Sequence, residues 1–421
     1  MKTLLIDLDD TLLTTNIDRF IKTYFMAFSK HVGTYGIGDA FLEALWAGTQ
    51  QMIQNNHPDR TLKETFEATF YPLLSPSLPS SLQNDHGGDV VCILEEFYEK
   101  IFPELRQITE MRPEAINLID EALNRGYRIA IATNPLFPKT ATHQRLEWAG
   151  LPIDNYPFEL ISTYEEFHFT KPNPAYFAEV LAYLGYPDGE IIMIGNDLND
   201  DIRAAQRIGL PTFWVKPLDG FHAADNFEPT MTGNLSEVFS WLDSINNDQL
   251  IPKYTSLDAI NAILLSTPAS LLTICHKLPI DRHNKMLEEN ARALHEILCH
   301  LRDVETEIYL PNLYKICCDE NMPFLPIIYQ KSRAGKRDDI NQDLQFAINA
   351  FVQLRQKTLN LIGSIKNKDM EQEGIHDVLG NVTLFQLISK IAEHDREHIH
   401  QVYDVLHKNH IRVLARTCNS D

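Results

Sequence analysis

Over the first 245 positions, apolar residues fall into short runs separated by longer amphipathic stretches. Residues 3–8 (TLLIDL), 127–133 (YRIAIAT), 191–195 (IIMIG) and 211–216 (PTFWVK) read as strands buried on both faces. Helix punctuation lies between them. Pro113 opens a helix that Gly126 closes, Asn173 and Pro174 open another that stops at Gly185, and a third runs from the 191–195 strand to about Gly209. Strands alternating with helices predict a parallel sheet with helical crossovers, an α/β core.

Residues 14–105 interrupt this alternation with helical, aromatic-rich patterning, including Phe20, Tyr24, Phe25, Phe28, Tyr35, Phe41 and Trp46, and a turn-prone stretch around 75–88. They read as a helical cap inserted into the core, the aromatics spaced as a packing face. The polar segment 246–256 reads as a linker. From 257 to 413 the pattern is helical throughout, over 257–277, 289–317, 341–366 and 383–408, with no strand alternation. It predicts an all-α, antiparallel four-helix bundle with a longer second connection.

The length of 421 residues agrees with this division into an N-terminal domain over 1–245 and a second over 257–413. Hydrophobic residues at 44% and charged residues at 23% are ordinary for a globular protein. No uninterrupted apolar run reaches membrane-spanning length, and Asp7, Asp9 and Asp10 break any leader-like core, so a cytoplasmic protein is expected. The net charge of −21 is uneven: residues 1–250 carry 17 basic against 36 acidic side chains. That field repels nucleic acid and anionic membranes, and an anionic substrate must be held locally by a metal or a placed lysine. Six cysteines without C-x-x-C spacing argue against a disulfide framework or a structural zinc site.

Four polar clusters follow the predicted strands, where open parallel sheets bind their ligands. Asp7 and Asp9 lie two apart in DLDDT, Thr133 and Asn134 end the second strand, and Lys171 precedes a helix N-terminus suited to an anion. Asp197 and Asp201 stand four apart in GNDLNDD, and with Asp7 they form a hard-oxygen set for Mg²⁺; Asp200 is the rival for the second acid. In this order, DLDDT, IAIATN, the KP of KPNP and GNDLNDD resemble the four motifs of the haloacid dehalogenase superfamily of phosphohydrolases. Many members place the first acid of the last motif directly after the glycine, whereas Asn196 intervenes here.

The resemblance implies a Rossmann-like core and a Mg²⁺-dependent phosphohydrolase acting on a small phosphorylated metabolite. Asp7 would be the nucleophile that forms an aspartyl-phosphate, and Asp9 would protonate the leaving group and then activate water. Thr133, Asn134 and Lys171 would hold the phosphoryl group. Mg²⁺ would be held by Asp7, the Asp9 carbonyl and Asp197, with Asp201 orienting its shell. The dehalogenating branch lacks the second aspartate and the metal, so the presence of Asp9 and the acidic fourth cluster favours phosphate-ester hydrolysis.

A second cluster lies in the helical part. His394 and His398, four apart, share one helical face, and His300 on another predicted helix offers a third ligand for a catalytic metal with an open position. His400, six beyond His394, points elsewhere, as does His295 relative to His300. HLRDVE, GIHDVLGNVTL and HDREH resemble the DinB/YfiT-like family of four-helix metalloproteins. The resemblance implies Zn²⁺ or Ni²⁺ on the three histidines and, in some members, S-transfer involving a low-molecular-weight thiol. His376 falls in a predicted loop and receives no role. The leading expectation is a capped phosphatase fused to a metal-binding bundle. The alternatives are a DinB-like transferase with an accessory phosphatase, or a bundle serving as a homodimerisation module.

Overall fold

Short buried aliphatic runs nucleate the sheet that organises the first part of the chain. The computed structural model describes residues 1–78, 88–216, 228–278, 285–318, 322–326, 344–365 and 367–408. Most of the expected turn at 75–88, the ends of the predicted helices at 341–343 and 366, the tail of the second domain at 409–413, and Cys418 lie outside them. The chain divides into two compact units: Met1–Tyr176 with Asp188–Pro252, and Phe177–Pro187 with the helices from Lys253 on.

In the first unit, β1 (Thr3–Ile6) is buried at every position and leads to β2 (Leu13–Thr14). Cap helices α1 (Ile17–Gly33), α2 (Gly38–Ile53), α3 (Leu62–Leu74) and α4 (Gly88–Glu96) follow, and turns at Phe97–Ile101 and Phe102–Ile108 return the chain to β3 (Glu110–Met111). Then come α5 (Pro113–Asn124), β4 (Arg128–Ile131), α6 (Lys139–Trp148), β5 (Leu160–Ile161), α7 (Pro174–Tyr183) and β6 (Ile191–Gly195). A π-type turn, Leu198–Arg203, runs into α8 (Ala204–Arg207), and β7 (Thr212–Val215), β8 (Met231–Gly233) and α9 (Val238–Ser244) complete the unit. Residues of α7 from Phe177 on count with the second unit.

The six-stranded sheet has the order β5-β4-β1-β6-β7-β8, with every pairing parallel. Ile6 pairs with Ile131 on one side and Ile194 on the other, so the residues following these three strands emerge side by side at one edge. Gly126 and Gly185, both at positive φ, stop the helices where the pattern placed the breaks.

The cap leaves and rejoins the core through β2 and β3, which pair antiparallel. Arg112 pins this neck by donating from Nη1 to the carbonyls of Asp10 (3.0 Å) and Thr11 (2.9 Å). Phe20, Phe28, Phe41, Phe70, Phe97 and Phe102 are fully buried in the cap core, as the packing reading expects of Phe20, Phe28 and Phe41, whereas Trp46 is 56% exposed. A capping box between Thr61 and Glu64 starts α3.

The second unit contains α10 (Leu257–Lys277) and α11 (Lys285–Val304), which continues through a π-type turn, Glu305–Tyr309, into α12 (Leu310–Cys318). After β9 (Phe324–Leu325) come α13 (Leu344–Ser364), β10 (Glu373–His376), β11 (Gly380–Thr383) and α14 (Leu384–Lys408). Helices α10 and α11 each pack against both α13 and α14.

Two features depart from the sequence expectation. A three-stranded sheet, β11-β10-β9, sits in the region read as strand-free, because strands of two to four residues are too short to show a period. Helix α10 is by length and composition apolar enough to cross a membrane, although serine, threonine and asparagine interrupt its apolar run; most of it is buried within the structure, as a core helix is.

Packing of α2 on α3 supplies a test. A Cβ on Gly48 would lie 2.6 Å from the Phe66 ring and 3.3 Å from the Phe66 carbonyl oxygen. Gly48→Val is expected to destabilise the cap by about 1–3 kcal/mol, seen as a lower midpoint in denaturant unfolding followed by tryptophan fluorescence.

Candidate active site and a histidine cluster

Asp7 is the first residue past β1, and its N–H donates to Ile194 O (3.0 Å), extending the ladder by one residue. The chain then turns tightly, with the N–H groups of Thr11, Leu12 and Leu13 all bonded to Leu8 O and Asp10 at positive φ. Asp10 Oδ1 accepts from the N–H groups of Thr15 (2.7 Å) and Asn16 (2.9 Å), which spends its carboxylate on the start of the cap.

Lys171 is the centre of the site. Its Nζ lies 2.8 Å from Asp7 Oδ1 and 2.5 Å from Asp201 Oδ1, and its side chain is 1% exposed. Burial works against the ammonium, but Asp201 and Asp7 outweigh it and hold Lys171 protonated. Burial also raises the Asp7 carboxyl, and neighbouring Asp201 adds to this while Lys171 opposes it. Asp201 rises for the same first reason.

A glycine precedes this acidic turn because of Asp201. A Cβ on Gly195 would fall 2.2 Å from Asp201 Oδ2. That oxygen accepts from the Asp197 N–H (3.0 Å), so both Asp201 oxygens are committed.

Asp197 stands at the N-terminal end of the acidic turn. Its Oδ1 accepts from the N–H groups of Asn199 (2.7 Å) and Asp200 (2.8 Å), as the N-cap of the π-type turn, and the residue is exposed. The carboxylate turned inward is that of Asp200, with Oδ2 3.4 Å from Asn134 Nδ2. Burial and then Asp197 push Asp200 up to about 6.

Asn134 is further fixed by the Lys171 N–H, which donates to its Oδ1 (3.3 Å). Thr133 is buried, its carbonyl accepting from Ser162 Oγ (2.7 Å) and the Tyr176 hydroxyl (2.8 Å). The structure thus gathers Asp7, Asn134, Lys171, Asp200 and Asp201, with Thr133 beside them. Three carboxylates face one ammonium, and Asp7 Oδ2 and Asp200 Oδ1 are not taken up by these contacts. A hard divalent cation fits that excess of negative oxygen.

Asp9 faces a different partner. Its Oδ1 accepts from Thr15 Oγ1 (3.0 Å) and its Oδ2 from Arg145 Nη1 (2.9 Å). Nothing in the sequence singled out Arg145, which sits in the last turn of α6, where arginine is ordinarily a surface residue. A cavity of about 560 Å³ lies between the cap helices and the loops after β4 and β5, lined by Tyr24, Trp46, Phe66, Phe137 and Tyr164 among others.

In the second unit His394 and His398 share one face of α14, and His300 from α11 converges on them. His394 Nε2 lies 3.1 Å from His300 Nε2 and 3.0 Å from His398 Nε2. Burial lowers all three, His394 to about 3, so the imidazoles are neutral near pH 7. His398 Nδ1 lies 2.9 Å from Gln401 Oε1, an acceptor, which puts the His398 proton on Nδ1 and leaves the Nε2 lone pair facing its neighbours.

His400 turns off this face to Gly185 O (2.9 Å), and His295 contacts Cys299. His376 ends β10 rather than lying in a loop, and with Tyr309, Leu379 and Leu387 it lines a cavity of about 460 Å³ that includes His300 and His394. One acid from each of HLRDVE and HDREH, Glu305 and Asp395, has a structural partner. Buried Arg355 forks between Glu305 (2.9 and 3.0 Å) and Asp395 (2.9 Å), a partner invisible in the sequence.

A parallel sheet that delivers acids, an amide and a buried lysine to its C-terminal edge forms a charged site where doubly wound α/β folds place their ligands. Residues 1–209 match the model of the haloacid dehalogenase-like hydrolase family, and this part of the chain is a haloacid dehalogenase-type phosphatase domain; the protein is an enzyme. A phosphoserine phosphatase of Thermus thermophilus is 28% identical, over 57% of this chain and 98% of that protein. A ribulose-1,5-bisphosphate 5-phosphatase of Halopiger xanaduensis is also 28% identical, over 34% of this chain and 57% of that protein. Among solved structures, a 2-haloacid dehalogenase from Pseudomonas syringae pv. Tomato has 21% identity and a TM-score of 0.44, covering 58% of this chain and 98% of that one.

The two acids of the fourth cluster should separate on mutation. Asp201→Ala strips Lys171 of a buried partner and is expected to cost about 3 kcal/mol. Asp197→Ala removes an exposed cap and should cost about 1 kcal/mol. Denaturant unfolding of the two variants checks the order.

Proposed function

We propose that the first unit is a Mg²⁺-dependent phosphomonoesterase acting on a small phosphorylated metabolite. The observation that carries this reading is the buried Lys171 bridging Asp7 and Asp201 at the sheet edge, next to Asn134 and Asp200. Asp7, the Asp9 carbonyl and the inward Asp200 would hold the cation, in place of the expected Asp197. Mg²⁺ would neutralise phosphoryl charge and let a dianion approach the acidic pocket. The phosphatases among the relatives support a small phosphorylated substrate.

Asp7 Oδ attacks phosphorus and forms the aspartyl-phosphate. Lys171 supplies fixed positive charge to the transferring group, and Asn134 and Thr133 orient it. Asp9 gives a proton to the departing oxygen, then takes one from the water that opens the aspartyl-phosphate. Asp201 holds Lys171 in place.

For the second unit, the three converging imidazoles favour a metal centre over a packing module alone. Three imidazole nitrogens within 4.8 Å of one another, with His394 Nε2 close to both of the others and the His398 lone pair fixed by Gln401, form a donor set for Zn²⁺ or Ni²⁺. On this reading the unit is DinB-like, and the cavity beside it would admit the substrate of a metal-dependent transfer involving a low-molecular-weight thiol.

Two measurements decide these readings. Hydrolysis of p-nitrophenyl phosphate should require Mg²⁺ and fall by more than about 10³-fold in Asp7→Asn; turnover retained in that variant overturns the nucleophile assignment. After purification in metal-free buffer and Zn²⁺ or Ni²⁺ titration, the wild type should bind one further transition ion that His394→Ala lacks. Equal metal content in the two proteins would count against the histidine centre.

A further inference from the structure

We propose that Arg145 is a positioning residue that fixes Asp9 for proton transfer to the leaving group. The inference rests on the phosphatase reading above. Arg145 Nη1 donates to Asp9 Oδ2 at 2.9 Å, and Thr15 Oγ1 donates to Asp9 Oδ1 at 3.0 Å. One donor on each oxygen fixes both the rotation and the tilt of the carboxyl group. The guanidinium carbon lies 4.7 Å from the centre of the Phe137 ring, three residues past Asn134. Helix α6 is itself anchored, because the N–H of its first residue, Lys139, is held by both oxygens of Glu165 (3.0 and 3.1 Å).

The cost of this arrangement argues for function. Arg145 is 1% exposed, and its Nε and Nη2 have no hydrogen-bond partner among the described residues. A buried guanidinium with unmet N–H groups is unfavourable, and an apolar side chain of similar volume would fill the space as well. What arginine adds is one charge-assisted bond to the carboxylate two residues beyond Asp7.

The reaction uses that bond at a definite moment. As Asp7 bonds to phosphorus and the bond from phosphorus to the leaving oxygen breaks, the Asp9 proton passes to that oxygen. Asp9 is left as a carboxylate, and the new negative charge falls against the guanidinium already in place. In the second half, water attacks phosphorus and gives its proton to Asp9, and Asp7 and inorganic phosphate are released.

Proton donation matters most for a poor leaving group, and this separates positioning from a structural role. We compare kcat/KM for phenyl phosphate and p-nitrophenyl phosphate in wild-type, Arg145→Met, Arg145→Lys, Asp9→Asn and Arg145→Met/Asp9→Asn full-length proteins. The expected result is a loss in Arg145→Met of about 100-fold on phenyl phosphate and under about 5-fold on the nitrophenyl ester. Arg145→Met should cost nothing further once Asp9→Asn is present. Equal losses on the two esters, or additive losses in the double variant, overturn the proposal. If melting shows that Arg145→Met does not fold, Arg145→Lys decides, its shorter side chain giving the same ester-selective loss. Wild-type turnover that survives Asp7→Asn would strike the phosphatase reading itself, and this inference with it.

Discussion

A single ammonium group, Lys171 Nζ, held between the buried carboxylates of Asp7 and Asp201, is the contact that the catalytic edge of the sheet depends on. Burying either acid without it is costly, and the two acids outweigh the burial that works against the ammonium. Much of the surrounding backbone serves this arrangement. The parallel register brings the ends of β1 and β6 side by side, Gly195 leaves room for Asp201, and the Asp197 N–H holds the second Asp201 oxygen. Asn134 ties the Lys171 backbone to the end of the neighbouring strand.

Three clusters of the site were legible in the sequence because each ends or follows a buried strand, and a parallel sheet sends such positions to one edge; Lys171 was legible instead from its place just ahead of a helix. What was not legible was direction. Asp197 and Asp200 are equally acidic on paper, and only the capping geometry of the turn sends the first outward and the second inward. Arg145 and Arg355 were missed for a common reason. Their partners are distant in sequence, and no local period distinguishes a buried arginine within a helix from a solvated one. The small β9–β11 sheet escaped because its strands are shorter than any pattern can register.

The helical unit shows the same logic with different chemistry. Two of its histidines, His394 and His398, were readable from spacing, since four residues on α14 return to the same face, while His300 on α11 was only a candidate third ligand. The motif acids around them work through Arg355: Glu305 from the π-type turn and Asp395 from α14 meet on one guanidinium from α13. Three elements are thereby tied immediately beside His394, so the imidazoles stand on a frame fixed by charge-assisted bonds rather than by apolar packing alone.

The neck formed by β2 and β3 has a consequence for how such a protein diversifies. Its two strands run side by side, clamped by Arg112, so the inserted segment begins and ends at adjacent points of the core. Residues between them lie outside the chain path that sets the register of the parallel sheet. Lengthening, trimming or exchanging the insertion closes across the same short gap at little entropic expense. Inheritance can therefore rewrite the chamber above the sheet wholesale while the chemical machinery beneath passes unchanged from one descendant to the next.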